Sequence, residues 1–103
     1  MTEREIQEQI VEVLKLKNLL FCHPPNEGKR SVRAGAALKK SGMKKGVPDL
    51  LIFNTTACGF KGLALEVKKE KGRLTLEQRA WIDLLRGEGW RAEVGKGIVE
   101  CIA

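Results

Sequence analysis

Two carboxylates and a lysine occur at a spacing that suits metal-assisted hydrolysis. Pro48-Asp49 is followed, after sixteen intervening residues, by Glu66-Val67-Lys68. Glu66 and Lys68 are two residues apart, so on a β-strand both side chains project from the same face. If Asp49 begins a neighbouring strand, its carboxylate comes beside that of Glu66. Two carboxylates at one point are typical of a site for a hard divalent cation, Mg²⁺ or Mn²⁺.

Lys68 has a chemical role beside such a cation. Its ammonium can orient or activate a metal-bound water, or neutralise the charge that develops on a phosphate group in the transition state. Each part of the pattern also has an ordinary structural interpretation. An acid beside a lysine is often a surface ion pair, and an aspartate after a proline is often part of a turn. The three residues together, near the basic segment described next, favour a functional site.

The excess positive charge of the chain lies in one segment. The net charge is +6, and seven of the nineteen basic residues fall in residues 28–45, where there is no acid. The other twelve basic residues are balanced by thirteen acidic ones. A localised polyanion site, with DNA or RNA phosphate as its ligand, explains this pattern better than a solvated charge run. We expect phosphate contacts from Asn26, Lys29, Arg30, Arg33, Lys44 and Lys45, the last two close to the metal.

Hydrophobic periodicity and helix caps predict the elements that position these residues. A first helix is expected from Thr2 to about Lys17, and a second is expected from Thr75 until Gly87 ends it. β-prone segments predict strands at 19–22, 49–53, 63–68 and 90–94, with the second and third paired as a hairpin. A short helix over 34–40 and a last strand or helix over 98–102 are also expected. The buried side of the second helix is predicted to be Leu76, Ala80, Trp81, Leu84 and Leu85.

The predicted order α-β-(α)-β-β-α-β describes a small α/β fold, a mixed β-sheet flanked by helices. At 103 residues the chain is expected to form one domain over residues 1–103. Its apolar runs are too short for a transmembrane helix, and its charged N-terminus predicts no signal peptide and a cytoplasmic location, in a bacterial or phage-infected cell. Three widely spaced cysteines and a single histidine, His23, argue against a structural zinc site.

Several segments resemble one nuclease family. The pattern GVPDLLIF, LALEVKK and LTLEQRAWIDLLRGEGW is similar to the PD-(D/E)XK nuclease superfamily, and in particular to its VRR-NUC (virus-type replication-repair nuclease) branch. HPPNEGKRS, upstream of the PD element, is similar to that branch as well. The resemblance extends over nearly the whole chain, which is typical of a stand-alone minimal member. It implies the restriction-endonuclease-like core.

The resemblance implies a role for each site residue. Asp49 and Glu66 would hold the metal, helped by the main-chain carbonyl of Val67, and Lys68 would be the lysine of the motif. The family also places a polar residue on the inner side of the first helix. Here that register falls on Gln7, which would position a water, or else Glu3, one turn earlier, takes its place.

Gln78 has two interpretations of equal weight. As the family's glutamine it would reach the active-site lysine or the DNA backbone. As a structural residue it completes a capping box with Thr75 at the start of the helix. Trp81 is interpreted as a core residue rather than a base-stacking one. His23 receives no catalytic role, because this mechanism needs no histidine.

The expected function is a structure-selective endonuclease that depends on Mg²⁺ or Mn²⁺ and acts on branched DNA such as four-way (Holliday) junctions. The alternative is a non-catalytic basic nucleic-acid-binding module in which the carboxylates are structural. The resemblance implies a homodimer, since stand-alone members of this branch look like junction resolvases that act as dimers. No membrane and no small-molecule cofactor are expected as partners.

Overall fold

A mixed four-stranded sheet with a helix on each face forms the described part of the chain. The computed structural model describes residues 1–24, 40–42, 44–54 and 59–96. The short helix predicted over 34–40 lies almost wholly outside these residues, and the last element predicted over 98–102 lies outside them altogether. In chain order the elements are α1 (Glu3–Leu16), β1 (Phe21–Cys22), β2 (Leu50–Ile52), β3 (Leu63–Lys68), α2 (Leu76–Gly87) and β4 (Arg91–Lys96).

Helix α1 begins at the predicted cap. The Thr2 side chain accepts from the N–H of Glu5, and the Glu5 side chain accepts from the N–H of Thr2, which completes a capping box. The buried stripe consists of Ile6, Ile10 and Leu14. These residues pack against one face of the sheet with Leu50, Ile52, Leu65 and Val67.

The strands lie in the order β1-β2-β3-β4. The predicted hairpin is confirmed, because β2 and β3 pair antiparallel with Leu50 opposite Leu65. Strand β4 pairs parallel to β3, and α2 makes the crossover between them. Strand β3 is therefore central, and every residue from Ala64 to Lys68 is buried. Its polar residues, Glu66 and Lys68, lie in the interior of the fold.

The predicted buried side of α2 is wrong in part. Ile82 is the residue that packs with Ala64 and Ala92 in the second core cluster. Leu76 and Leu84 are 84% and 65% exposed, and Trp81 and Leu85 are half-buried. Ala80, also predicted to be buried, is exposed. The apolar residues of α2 spread over more than one face of the helix, and periodicity alone does not say which face meets the sheet.

No helix in the described residues is both long enough and apolar enough to cross a membrane.

Candidate active site

Asp49 lies immediately before β2. Its Oδ2 accepts a hydrogen bond from the main-chain N–H of Val67 at 2.8 Å, which ties this position to β3. Because Leu50 pairs with Leu65, continuing the register by one residue sets Asp49 opposite Glu66. The structure therefore brings together the two carboxylates whose spacing indicated a site.

Glu66 is a buried carboxylate with an unsatisfied oxygen. The residue is 2% exposed, and its Oε1 has no hydrogen-bond partner among the described residues. Burial first, and the hydrogen-bonded Asp49 carboxyl second, raise the pKa of Glu66 to about 9, while Lys68 acts in the lowering direction. An unsatisfied buried acceptor costs about 1–3 kcal/mol, and more when charged. This carboxylate pair therefore needs a proton or a cation.

The Val67 carbonyl lies beside the same pair. Continuing the β2–β3 register by two residues sets Pro48 opposite Val67. Pro48 is buried and, as a proline, has no N–H to donate. Pro48 therefore gives the Val67 carbonyl no main-chain donor. The N–H of Val67 donates to the Asp49 side chain instead. The resemblance assigns this carbonyl to the metal.

Lys68 shares the face of β3 that carries Glu66 and is 8% exposed. No ion pair joins its ammonium to a carboxylate in the described residues. Its positive charge acts to lower the pKa of Glu66, so the two side chains interact electrostatically.

An open cleft of about 620 Å³ gives access to this site. Among the described residues that line it, four are acids, and the one arginine, Arg4, pairs with Glu8 at 3.8 Å. A phosphodiester entering such a cleft meets uncompensated negative charge unless a cation neutralises it. The lining residues are Glu3, Arg4, Gln7, Glu8, His23, Asp49, Glu66 and Gln78.

Both candidates on α1, Gln7 and Glu3, line the cleft. Glu3 is also tied to the turn after β3, because its Oε2 accepts from the N–H of Lys69 at 3.3 Å. The charge of Glu3 raises the pKa of Glu66, which indicates that the two carboxylates are close enough to interact. The structure thus brings both residues to the cleft.

Gln78 forms the capping box that one of its two interpretations predicted, whereas its contact with the active-site lysine or the DNA backbone stays a prediction. Its Oε1 accepts from the Thr75 N–H at 2.9 Å. The main-chain N–H of Gln78 donates to the Thr75 hydroxyl at 3.2 Å, so the capping box is formed. Its Nε2 faces Glu66 Oε2 at 3.5 Å, which is long for a hydrogen bond. The cap therefore orients the amide so that its donor end faces the buried carboxylate.

Of the predicted phosphate contacts, the structure describes two and leaves the other four outside its described residues. Lys44 and Lys45 are exposed just upstream of Pro48. The Trp81 indole donates to the Lys45 carbonyl at 3.1 Å, which docks this loop on α2. Trp81 is thus a half-buried anchor rather than a full core residue. The predicted contacts Asn26, Lys29, Arg30 and Arg33 lie outside the described residues.

Sequence reasoning missed His23. Its Nδ1 is hydrogen-bonded to the main-chain carbonyl of Asp49, and the residue lines the cleft. A carbonyl only accepts, so this nitrogen carries the proton. The sequence signal for this contact is the pair His23-Pro24. A proline at the end of a strand donates no hydrogen bond, so the opposite carbonyl on the neighbouring strand needs another donor.

The chain's own donors for a metal are few. No cluster of three or more His, Cys, Asp and Glu side chains in the described ranges is arranged to hold an ion. Asp49, Glu66 and the Val67 carbonyl could fill one side of the coordination shell of a hard cation. Mg²⁺ commonly binds through one or two carboxylates and keeps several waters or substrate oxygens, so this donor set fits it.

Comparisons with known proteins identify the family of this chain. The family model of the VRR-NUC domain matches residues 1–98. A solved structure described as a VRR-NUC domain protein is similar with a TM-score of 0.75 and 28% identity, over 99% of this chain and 83% of that one. A Fanconi-associated nuclease 1 homolog from Arabidopsis thaliana is 45% identical over 53 residues, which are 50% of this chain and 6% of the plant protein. Since the family model covers nearly the whole sequence and the fold is shared, the chain belongs to the VRR-NUC domain family.

Proposed function

We propose that this chain is a metal-dependent nuclease that hydrolyses phosphodiester bonds in DNA. The observation that carries the proposal is the buried Glu66 carboxylate, which has an unsatisfied oxygen beside Asp49 at the base of an open acidic cleft. A module that only binds nucleic acid has no use for this pair, because buried like charges cost stability and repel phosphate. Family membership and the name of the plant relative support the same activity.

In this proposal Asp49, Glu66 and the Val67 carbonyl hold Mg²⁺ or Mn²⁺. The bound ion would polarise the scissile phosphate and lower the pKa of a water. Lys68 orients that water or offsets the charge on the phosphate as the P–O bond breaks. Gln7 or Glu3 orients a water from the α1 side, and Gln78 holds Glu66 in place.

The substrate in this proposal is branched DNA, with four-way junctions as the leading candidate. Exposed Lys44 and Lys45 contact backbone phosphates close to the cut, together with Asn26, Lys29, Arg30 and Arg33. Phosphate contacts position a duplex without reading its bases, so recognition depends on shape. Charge reversal at Lys44 should weaken binding to every DNA alike and flatten its salt dependence by about one unit of slope.

The working unit in this proposal is a homodimer. One centre cuts one strand, and paired incision of a junction needs two centres related by a two-fold axis. Light scattering over a range of concentrations, with and without junction DNA, tests this part. A mass of 11.5 kDa at every concentration without DNA, and one copy of the chain per junction with DNA, would rule out the dimer.

The activity is tested with labelled duplex, flap, splayed-arm and four-way-junction DNAs in Mg²⁺, Mn²⁺ or EDTA. We expect cleavage of branched substrates that needs the metal and is lost in Glu66→Gln. Glu12→Gln, at an exposed acid of α1 that is not part of the cleft, is the matched control and should cleave normally. Binding without cleavage in every metal would favour the non-catalytic module, and full cleavage by Glu66→Gln would refute the assignment.

A further inference from the structure

The hydrogen bond between His23 and Asp49 replaces one that the main chain cannot make. Strand β1 pairs with β2 at only two positions, Phe21 with Ile52 and Cys22 with Leu51. Continuing the register toward the cleft sets Pro24 opposite Asp49. Whether Pro24 and Asp49 stand at a hydrogen-bonded position depends on the alternation of the ladder.

The β1–β2 ladder alternates between hydrogen-bonded and non-hydrogen-bonded pairs. The N–H of Phe53 donates to the Leu20 carbonyl at 2.8 Å, so these two residues form a hydrogen-bonded pair. In an antiparallel ladder every second pair is of this kind, which makes Pro24 and Asp49 hydrogen-bonded positions as well. Pro24 has no N–H, so the Asp49 carbonyl would lack its donor. The His23 imidazole supplies that donor from the position before Pro24, directly after the end of β1.

The far end of the same ladder is closed in a similar way. The N–H of Leu20 donates to Oδ1 of Asn54 at 2.7 Å. The short β1–β2 ladder therefore ends in a side-chain hydrogen bond on both sides. One lies at the cleft and the other lies away from it, because Asn54 is not among the residues that line the cleft.

We propose that His23 is a positioning residue for Asp49. Its imidazole fixes the main chain of Asp49, so that the carboxylate keeps its hydrogen bond to the Val67 N–H and its place beside Glu66. His23 acts through Asp49 and not on the substrate. This role rests on the proposed function for its effect on activity, whereas its effect on the Asp49–Val67 hydrogen bond does not.

Three variants separate this role from general stability. His23→Ala removes the donor. His23→Asn keeps an N–H donor at the place of Nδ1 and removes the rest of the ring. Asn54→Ala is the matched control, because it removes the side-chain hydrogen bond at the other end of the ladder.

Two measurements are made on each purified variant, in addition to the cleavage rate. Hydrogen exchange of the Val67 amide is followed by NMR without metal, relative to the Leu65 amide in the same strand. Mn²⁺ affinity is measured by titration calorimetry without DNA.

For His23→Ala we expect the relative Val67 exchange to become about tenfold faster and Mn²⁺ affinity to fall about 10–100-fold, as for other residues that orient metal ligands. His23→Asn should restore most of both. Asn54→Ala should lower the unfolding midpoint without changing either quantity.

Unchanged Val67 exchange in His23→Ala, or an equal change in Asn54→Ala, would overturn the inference. Failure of His23→Asn to restore Mn²⁺ affinity would also overturn it, because it would give the rest of the ring a direct role in the cleft. If the wild-type protein neither bound Mn²⁺ nor cleaved DNA, the proposed function would fail. Val67 exchange would still decide the positioning role.

Discussion

The Oδ2 atom of Asp49 accepts a hydrogen bond at 2.8 Å from the N–H of Val67, the residue next to Glu66. The closeness of the two carboxylates is thus imposed by the main chain of β3 and needs no cation to create it. The consequence is electrostatic: two acids held together in a buried place cannot both ionise freely, so one of them keeps a proton unless a cation neutralises the pair. The two carboxylates are therefore in place before the proposed metal would bind.

Two substitutions of Asp49 separate its charge from its hydrogen bond. Asp49→Asn removes the charge but keeps an oxygen that can accept from the Val67 N–H, whereas Asp49→Ala removes both. We expect both to lose more than about 100-fold in cleavage rate, because metal-assisted stabilisation of the transition state is worth several kcal/mol. Only Asp49→Ala should also lower the free energy of unfolding, by about 1 kcal/mol for the lost hydrogen bond. Urea unfolding in EDTA and single-turnover kinetics measure the two effects.

Equal stability of the two variants would contradict the structural role of the Val67 hydrogen bond. DNA binding in EDTA should be unchanged or tighter in both, since each removes a negative charge near phosphate.

The raised pKa of Glu66 predicts how stability depends on pH without metal. The folded protein holds a proton on Glu66 up to about pH 9, whereas in the unfolded chain this proton leaves near 4.5. The folded state therefore binds more protons between these values, and the contribution of Glu66 to stability falls as the pH rises through them. The slope from one group is at most about 1.4 kcal/mol per pH unit. Glu66→Gln should remove this slope and be more stable than the wild type at pH 8.

Metal binding gives the complementary measurement. In the proposed function a cation takes the place of the Glu66 proton, so Mn²⁺ affinity should increase with pH over the same range. Calorimetry in two buffers of different ionisation enthalpy should show close to one proton released per ion at pH 7. If the slope of stability with pH were the same in Glu66→Gln, the carboxyl that takes up the proton would be a different one.

The β2–β3 part of this site could be predicted from the sequence, whereas the contact of His23 and the buried face of α2 could not. Alternation in β3 and the position of Asp49 predicted the hairpin that brings Asp49 to Glu66. The contact of His23 depends on which β1–β2 pairs exchange hydrogen bonds, and a two-residue strand has too little pattern to reveal that. The buried face of α2 depends on how the helix meets the sheet, which composition alone does not determine.

Gln78 joins helix capping to the site, and one substitution can separate them. Gln78→Glu keeps a side-chain oxygen that accepts from the Thr75 N–H, and glutamate is a normal residue of a capping box. It replaces the donor that faces Glu66 by an oxygen. We expect the free energy of unfolding at pH 5 to stay within about 0.5 kcal/mol of wild type, and cleavage to fall about tenfold or more.

Gln9→Glu makes the same chemical change at an exposed position of α1 and serves as the control. It should affect neither quantity. Normal cleavage by Gln78→Glu would show that the amide only caps the helix.

Gly46 is placed where α2 and the loop before Asp49 meet. Its φ is +88°, and a Cβ there would lie 2.7 Å from the main-chain carbon of Glu77 and 2.9 Å from the main-chain nitrogen of Gln78. Gly42 has a similar φ of +103° with nothing within 4 Å, so Gly42→Ala measures the cost of the left-handed backbone alone. We expect about 1–2 kcal/mol for Gly42→Ala. Gly46→Ala should cost a further 1–3 kcal/mol or so, because it adds a clash with main-chain atoms that cannot move aside cheaply.

The same pair of variants links this contact to activity. Displacing the Gly46 loop would move Lys45 away from the Trp81 indole and shift the start of the segment that carries Asp49. Cleavage should therefore fall in Gly46→Ala and stay normal in Gly42→Ala, when both are assayed well below their unfolding temperatures. Equal free energies of unfolding for the two variants, measured in urea, would mean that the loop can leave α2 at no cost. The close approach of Gly46 to Gln78 would then have no part in holding the site together.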